Sequence, residues 1–298
     1  MYHTTVLLKP SVDGLNIKPD GVYVDATLGG GGHSREILSR LGPEGRLFSF
    51  DQDEDAISRF SNSDSRWVLV RGNFRYLHNW MRYYNIDAID GLLADLGVSG
   101  HHFDTAERGF SFRQDAPLDM RMNQKAKMKA SDVVNGYSED DLSRIFRFYG
   151  EMHQARRLAA TIVAQRSKTP IETTGQLAAI VTPILGRDRE SKDLARLFQA
   201  LRIEVNREMD ALRDMLRSAT NMLSSGGRLV VLSYHSLEDR IVKNVMRSGN
   251  DEGTIDQDVY GRSSSPLRPL GKAQQPSQAE MEANPRSRSA KLRVAEKL

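Results

Sequence analysis

The amino-acid sequence predicts an α/β protein: a mostly parallel sheet with helices on both faces and a helical domain inserted into it. Three observations carry that prediction. Apolar runs alternate with helical patterns through the first hundred residues, as in βαβ units. The rhythm then stops after Leu96, and residues from about 101 to 193 contain helical segments but no convincing buried strand. It resumes with a long helix near Asp193–Leu223 and an apolar strand over Gly227–Tyr234.

Element by element, Val22–Thr27 reads as a buried strand running into the glycines at 29–32. Ser34–Leu41 has helical spacing, and Gly42-Pro43 stops it. Arg46–Asp51, Trp67–Val70 and Ala88–Asp95 are the second, third and fourth strands. Helices are expected over Asp140–Tyr149, Ala155–Gln165 and Thr174–Ile184. From Gly249 onward Gly, Ser, Pro and Gln dominate, with Ser289–Ala295 as a last strand. The simplest organisation is a core of residues 1–100 and 194–298 ending in a basic tail, with residues 101–193 as the inserted domain.

Length and composition narrow the function classes. At 298 residues, with 39% hydrophobic and 27% charged, the chain is globular, with one large domain or a core plus a module. Zero cysteines exclude a disulfide framework, a Cys-type zinc site and a thiolate nucleophile. No apolar run approaches the roughly 18 residues a membrane span needs, and Met1–Pro10 shows no secretory pattern. A soluble cytoplasmic protein is expected. The net charge of +3 is uneven: residues 261–298 hold eight basic and three acidic side chains, leaving a near-neutral body. A basic tail suggests a polyanionic partner.

The glycine turn is the sharpest motif. A strand, a glycine-rich turn and a helix start let a ligand approach the backbone and meet free N–H groups. Asp25-Ala26-Thr27-Leu28-Gly29-Gly30-Gly31-Gly32-His33-Ser34 fails the dinucleotide spacing, because Ser34 or Arg35 stands where the third glycine belongs. No Gly-Lys-Ser/Thr follows, so it is not a P-loop either. An acid at the strand end with glycines four and six residues later looks like the S-adenosylmethionine turn of class I methyltransferases, with Thr27 where many members have glycine. Asp51 closes the second strand, placed to accept ribose hydroxyls or, alternatively, to cap a helix. Asp51–Asp55 begins like a calcium loop, but Ala56 and Asn62 break that pattern. Phe74 and Asp95 follow the third and fourth strands, where carboxyl ends line a crevice. For Phe74 the choice is between adenine stacking and core packing.

Taken together the motifs resemble one family from end to end: the bacterial methyltransferases that modify the N4 amine of a cytidine in small-subunit (16S) ribosomal RNA. The resemblance rests on His3–Leu8, Asp25–Ser34, Asp95–Ser99, Glu107–Phe112, Pro117–Met122, Phe198–Asn206, Ser233–Arg240 and Asn284–Ser289. It implies a class I, Rossmann-like methyltransferase fold with S-adenosylmethionine as cofactor. It implies cofactor contacts at Gly31, Gly32, His33, Asp51, Phe74 and Asp95. His102 stands where the family usually has glutamine, and either side chain can donate or accept a hydrogen bond. No metal ligand set is recognised: His101-His102 lacks the partners a metal site needs.

The cytosine amine is a poor nucleophile, and acceptors aimed at its N–H bonds would activate it. The Asp/Asn-Pro-Pro-aromatic turn common in amine methyltransferases is replaced here by Asp95-Leu96-Gly97-Val98. Asp95 or a nearby main-chain carbonyl is therefore the expected acceptor, assisted by Tyr234 and His235, for which packing beneath the site is the competing reading. Arg108, Arg113 and Arg121 beside Phe110 and Phe112, with Arg286, Arg288, Lys291 and Arg293 in the tail, suit phosphate contacts and base stacking. The expected partner is small-subunit rRNA or the assembled subunit, with no membrane; a homodimer is left open. Competing readings are a methyltransferase on another nucleic acid or a small molecule, a dehydrogenase, and a non-catalytic ribosome-assembly factor of the same fold.

Overall fold

The computed structural model describes residues 5–60, 63–98, 105–186, 189–255 and 265–298. They form two compact units, residues 1–97 with 209–298, and residues 98–208.

The first unit holds a seven-stranded sheet in the order β3-β2-β1-β4-β5-β7-β6. In chain order its strands are β1 (Val22–Asp25), β2 (Arg46–Asp51), β3 (Trp67–Arg71), β4 (Ile89–Asp95), β5 (Leu223–Ser233), β6 (Leu267–Pro269) and β7 (Lys291–Lys297). The first five pair in parallel, while β7 runs antiparallel between β5 and β6. The central strands are apolar almost throughout because both faces are covered: Tyr23, Val24, Leu47, Phe48, Phe50, Leu92 and Leu93 are fully buried. The helices of this unit are α1 (Leu8–Gly14), α2 (Gly32–Arg40), α3 (Glu54–Ile57), α4 (Leu77–Tyr83), α10 (Glu208–Met222, its first residue in the other unit), α11 (Ser236–Ser248) and α12 (Gln278–Ala283). Strand order reverses between β1 and β4, so their carboxyl ends open a crevice at the switch point, where ligands of open α/β sheets bind.

The second unit is helical: α5 (Ala130–Gly136), α6 (Glu139–Phe148), α7 (Ala155–Arg166), α8 (Thr174–Val181) and α9 (Glu190–Asn206). Its core includes Phe110, Leu118, Met120, Phe146, Leu158 and Leu201. Strong N-caps start two of these helices, Ser138 before α6 and the Thr173–Gln176 capping box before α8.

Three expectations are corrected. The single helix near 193–223 is two helices, α9 and α10, parted at Arg207, whose φ of 50° is left-handed. Asn206 holds that break: its amide donates to the Met120 carbonyl and accepts from the Met122 N–H, each at 2.8 Å. The boundary of the helical unit accordingly falls at 208/209 instead of 193/194, because α9 packs its apolar face into the helical core. The strand expected from Gly227 also begins earlier, at Leu223, with a register irregularity opposite Ile89–Gly91. Among the described residues, no helix is long and apolar enough to cross a membrane.

Candidate functional site

At the end of β1, Asp25 is fully buried and its carboxylate is held from three directions. It accepts from the Thr27 N–H at 3.0 Å, the Thr27 hydroxyl at 3.5 Å and the Ser34 hydroxyl at 2.6 Å. Burial pushes this carboxyl up, against the opposing pull of His33 and the Ser34 and Thr27 donors. The network continues inward: Ser34 meets the Ser49 hydroxyl at 2.8 Å, and Trp67 Nε1 donates to Ser49 Oγ at 2.8 Å. Asp25 is thus the anchor that ties the turn and α2 to the sheet.

The glycine turn divides into a filled half and an open half. A Cβ on Gly31, at φ 73°, would lie 2.6 Å from the Phe60 ring, and one on Gly32 would overlap the Thr5 hydroxyl. These two glycines are required by close packing within the chain. A Cβ on Gly30 would meet nothing within 4 Å. The first N–H groups of α2, on Gly32 and His33, have no intrahelical acceptor by helix geometry and face an anion-favouring field. His33 itself is 4% exposed, its Nδ1 3.8 Å from Asp95 Oδ2 and its buried Nε2 without a hydrogen bond among the described residues. A buried polar nitrogen left unpaired costs about 1–3 kcal/mol, so this atom points to a ligand group.

Asp51, at the end of β2, accepts from the Gly29 N–H at 3.0 Å through Oδ2 and from the Asp53 N–H at 2.9 Å through Oδ1. The cap of α3 is Asp53, which accepts from the Asp55 N–H, so the capping role weighed for Asp51 belongs to its neighbour. Asp51 is half-buried at the carboxyl end of β2. Phe74 opens the short turn after β3 and is half-buried. Asp95 ends β4, where its N–H donates to Thr27 Oγ1 at 2.7 Å. Thr27, the departure from the usual glycine, therefore stitches the β1 turn to the end of β4. His102 lies outside the described residues.

Across the sheet, the Tyr234 hydroxyl donates to Asp95 Oδ1 at 2.6 Å. Burial and the Asp95 carboxylate both raise this phenol far above its ordinary range, so it remains a proton donor. Tyr234, expected to assist Asp95, is thus in direct contact with its carboxylate. His235 caps α11, its Nδ1 accepting from the Glu238 N–H at 3.4 Å. Glu238, 2% exposed, takes the Tyr234 N–H at 2.9 Å and lies 3.2 Å from His235 Nε2. The packing reading is the one this geometry favours for His235.

The cationic residues expected to meet RNA are largely engaged. Arg108 is 7% exposed and donates to the carbonyls of Arg121 and Met122. Arg121 chelates Asp119 at 2.6–2.8 Å. In the tail, Lys291 and Arg293 pair with Asp239 at 3.0 and 2.7 Å, because β7 lies beside β5 in the sheet. Phe110 is core, and Phe112 packs edge-on to Phe198. Arg113, Arg286 and Arg288 remain on the surface. Sequence reasoning missed Thr5, Phe60, Ser49 and Glu238. A signal existed for Ser49, a lone hydroxyl in the apolar run Leu47-Phe48-Ser49-Phe50.

Comparison with known proteins agrees with this geometry. The chain is 59% identical over 297 residues to "Ribosomal RNA small subunit methyltransferase H" of Bacteroides fragilis, covering 99% of this chain and 97% of that protein. It is 57% identical over 298 residues to the protein of the same name in Phocaeicola vulgatus, covering 100% and 98%. The Cytophaga hutchinsonii protein of that name is 49% identical, with both chains covered completely. The MraW methylase family matches residues 1–298, and with the crevice between β1 and β4 built as described, the chain belongs to that family.

Proposed function

We propose that this chain transfers a methyl group from S-adenosylmethionine to the N4 amine of a cytidine in the 16S rRNA of the small ribosomal subunit. The observation that supports it best is the meeting of the glycine turn, Asp51 and Asp95 at the β1/β4 switch point, in a chain of the MraW methylase family. The residues fit the cofactor: His33 Nε2 is buried and has no hydrogen bond among the described residues, Asp51 is a half-buried carboxylate at the end of β2, and the turn is open at Gly30.

Bound there, S-adenosylmethionine would supply an electrophilic methyl on its sulfonium. In this reading Asp51 takes the ribose hydroxyls, Phe74 lies against the adenine, and the N–H groups of Gly32 and His33 receive the carboxylate. Gly31 contributes by shaping the start of α2, and His102 keeps its place through the resemblance alone. Asp95 is the group that accepts an N–H of the target amine, drawing the nitrogen lone pair out of the ring. Tyr234 acts as a positioning residue by holding Oδ1 of Asp95, and His235 fixes the start of α11 on which Tyr234 depends. Alignment of the two reactants contributes about 7–11 kcal/mol, and removal of one oriented acceptor costs on the order of 3 kcal/mol. The helical unit recognises the RNA, with Arg113 on its surface.

The test is incubation with methyl-labelled S-adenosylmethionine and small ribosomal subunits, followed by nucleoside digestion of the 16S rRNA. Label in N4-methylcytidine is expected. Label in a different nucleoside, or none, would overturn the reading.

A further inference from the structure

Residues 71–85, Arg-Gly-Asn-Phe-Arg-Tyr-Leu-His-Asn-Trp-Met-Arg-Tyr-Tyr-Asn, hold five of the chain's 21 aromatic residues and no acid. They leave the carboxyl end of β3 and form α4. Leu77 and Met81 face the core, fully buried, and the rest of the helix faces outward. Tyr83 is 72% exposed and Tyr76 is 52% exposed, among the most exposed large apolar side chains of the described residues. Tyr83 is nevertheless propped: it meets Trp80 edge-on at 6.0 Å and Tyr84 edge-on at 5.0 Å. Tyr84 in turn packs on the buried Phe48 at 5.2 Å. A ring held by two neighbours yet 72% exposed offers π surface to a ligand and loses little rotamer entropy on binding.

Charge completes the surface. His78 and Arg82, four residues apart and so side by side on the helix, are exposed, and their side chains make no hydrogen bond or ion pair among the described residues. Arg75 lies 5.5 Å over the Tyr76 ring while its guanidinium also binds Asp214. Of the basic residues expected to hold RNA, Arg108, Arg121, Lys291 and Arg293 are tied to carbonyls and carboxylates. The α4 face keeps π surfaces and an unpaired cation together, the combination that stacks nucleobases and meets phosphate.

Resting on the rRNA reading above, we infer that the outer face of α4 is a docking surface for single-stranded RNA, with a base stacked on Tyr83 and phosphate against Arg82. Base–aromatic stacking tolerates any base, so the surface contributes affinity and orientation without choosing the sequence.

The experiment measures anisotropy of a fluorescein-labelled single-stranded oligoribonucleotide of mixed sequence, together with S-adenosylmethionine affinity and turnover on small subunits. Tyr83→Ala is expected to weaken RNA binding by about 5- to 150-fold and raise KM for small subunits with kcat and cofactor affinity unchanged. Tyr83→Phe, which keeps the π face, should bind as wild type. Arg82→Gln should flatten the salt dependence by about 0.7 in log–log slope. Equal RNA affinity and equal KM for wild type and Tyr83→Ala would overturn the role of α4 alone. Wild-type protein that neither binds RNA nor methylates subunits would overturn the rRNA reading and this inference with it. A change from dimer to monomer in Tyr83→Ala, with RNA affinity intact, would assign the face to a second copy of the chain and refute the RNA assignment.

Discussion

Gly31→Ala isolates what the filled half of the turn does. The backbone at Gly31 is left-handed, φ 73°, which costs an L-residue roughly 1–2 kcal/mol. The new methyl would also lie 2.6 Å from two Phe60 ring carbons. Phe60 cannot swing aside freely, since Trp67 packs edge-on to it at 5.5 Å and Arg35 lies over it at 5.1 Å. Overpacking of that kind costs about 1–3 kcal/mol, for a combined loss of about 2–5 kcal/mol. At about 2–4 °C per kcal/mol for a body of this size, Tm should fall by about 4–20 °C. Gly30→Ala, with nothing within 4 Å, should change stability by about 0.5 kcal/mol or less. The assay is thermal denaturation of both variants and of Gly31→Ala combined with Phe60→Ala. The double variant should recover the steric part, with a coupling of about 0.5–3 kcal/mol. A Gly31→Ala protein that melts with the wild type, or strict additivity with Phe60→Ala, would refute the packing argument.

Three further outcomes follow from the same contacts. Tyr234→Phe removes a hydrogen bond to a carboxylate worth about 1.5–3 kcal/mol; kcat should fall with little change in KM, and a kcat equal to wild type would remove Tyr234 from the orientation of Asp95. Asn206→Ala leaves the Met120 carbonyl and Met122 N–H without their partner, so a loss of about 1–3 kcal/mol is expected by urea denaturation; no loss would leave the Arg207 break unexplained. Burial alone would raise Asp239, but the hydrogen bonds and charges of Arg293 and Lys291 outweigh it and hold the carboxyl below its ordinary value. Its stabilisation is then complete above the unfolded value near 3.8 and is lost as pH falls through the lower folded value. The acid limb of wild-type stability should therefore be steeper below about pH 4 than that of Asp239→Asn; identical limbs would rule the pair out as a stabilising contact.

The parallel core was legible because strands buried on both faces read as continuous apolar runs, and glycines, Gly-Pro and caps punctuate them. The positions of Asp51 and Asp95 followed from the same reading, since each ends a strand. Other features depend on contacts distant in sequence. Nothing local marks Arg207 as a helix break, for neither glycine nor proline stands there; Asn206, bound to the segment 120–122, imposes it. Gly31 and Gly32 looked like cofactor-facing glycines, yet Phe60 and Thr5 occupy the space beside them. Lys291 and Arg293 looked free because Asp239, their partner, is more than fifty residues away in sequence.

The central claim is that the β1/β4 crevice holds S-adenosylmethionine through Asp51. Equilibrium dialysis of the labelled cofactor against wild type and Asp51→Ala tests it most directly, with NAD as the control ligand. Saturable binding of S-adenosylmethionine but not NAD, weakened by about 1.5–3 kcal/mol in the variant, is the expected result. Preference for NAD, absence of saturable binding, or an Asp51→Ala affinity equal to wild type would contradict the account.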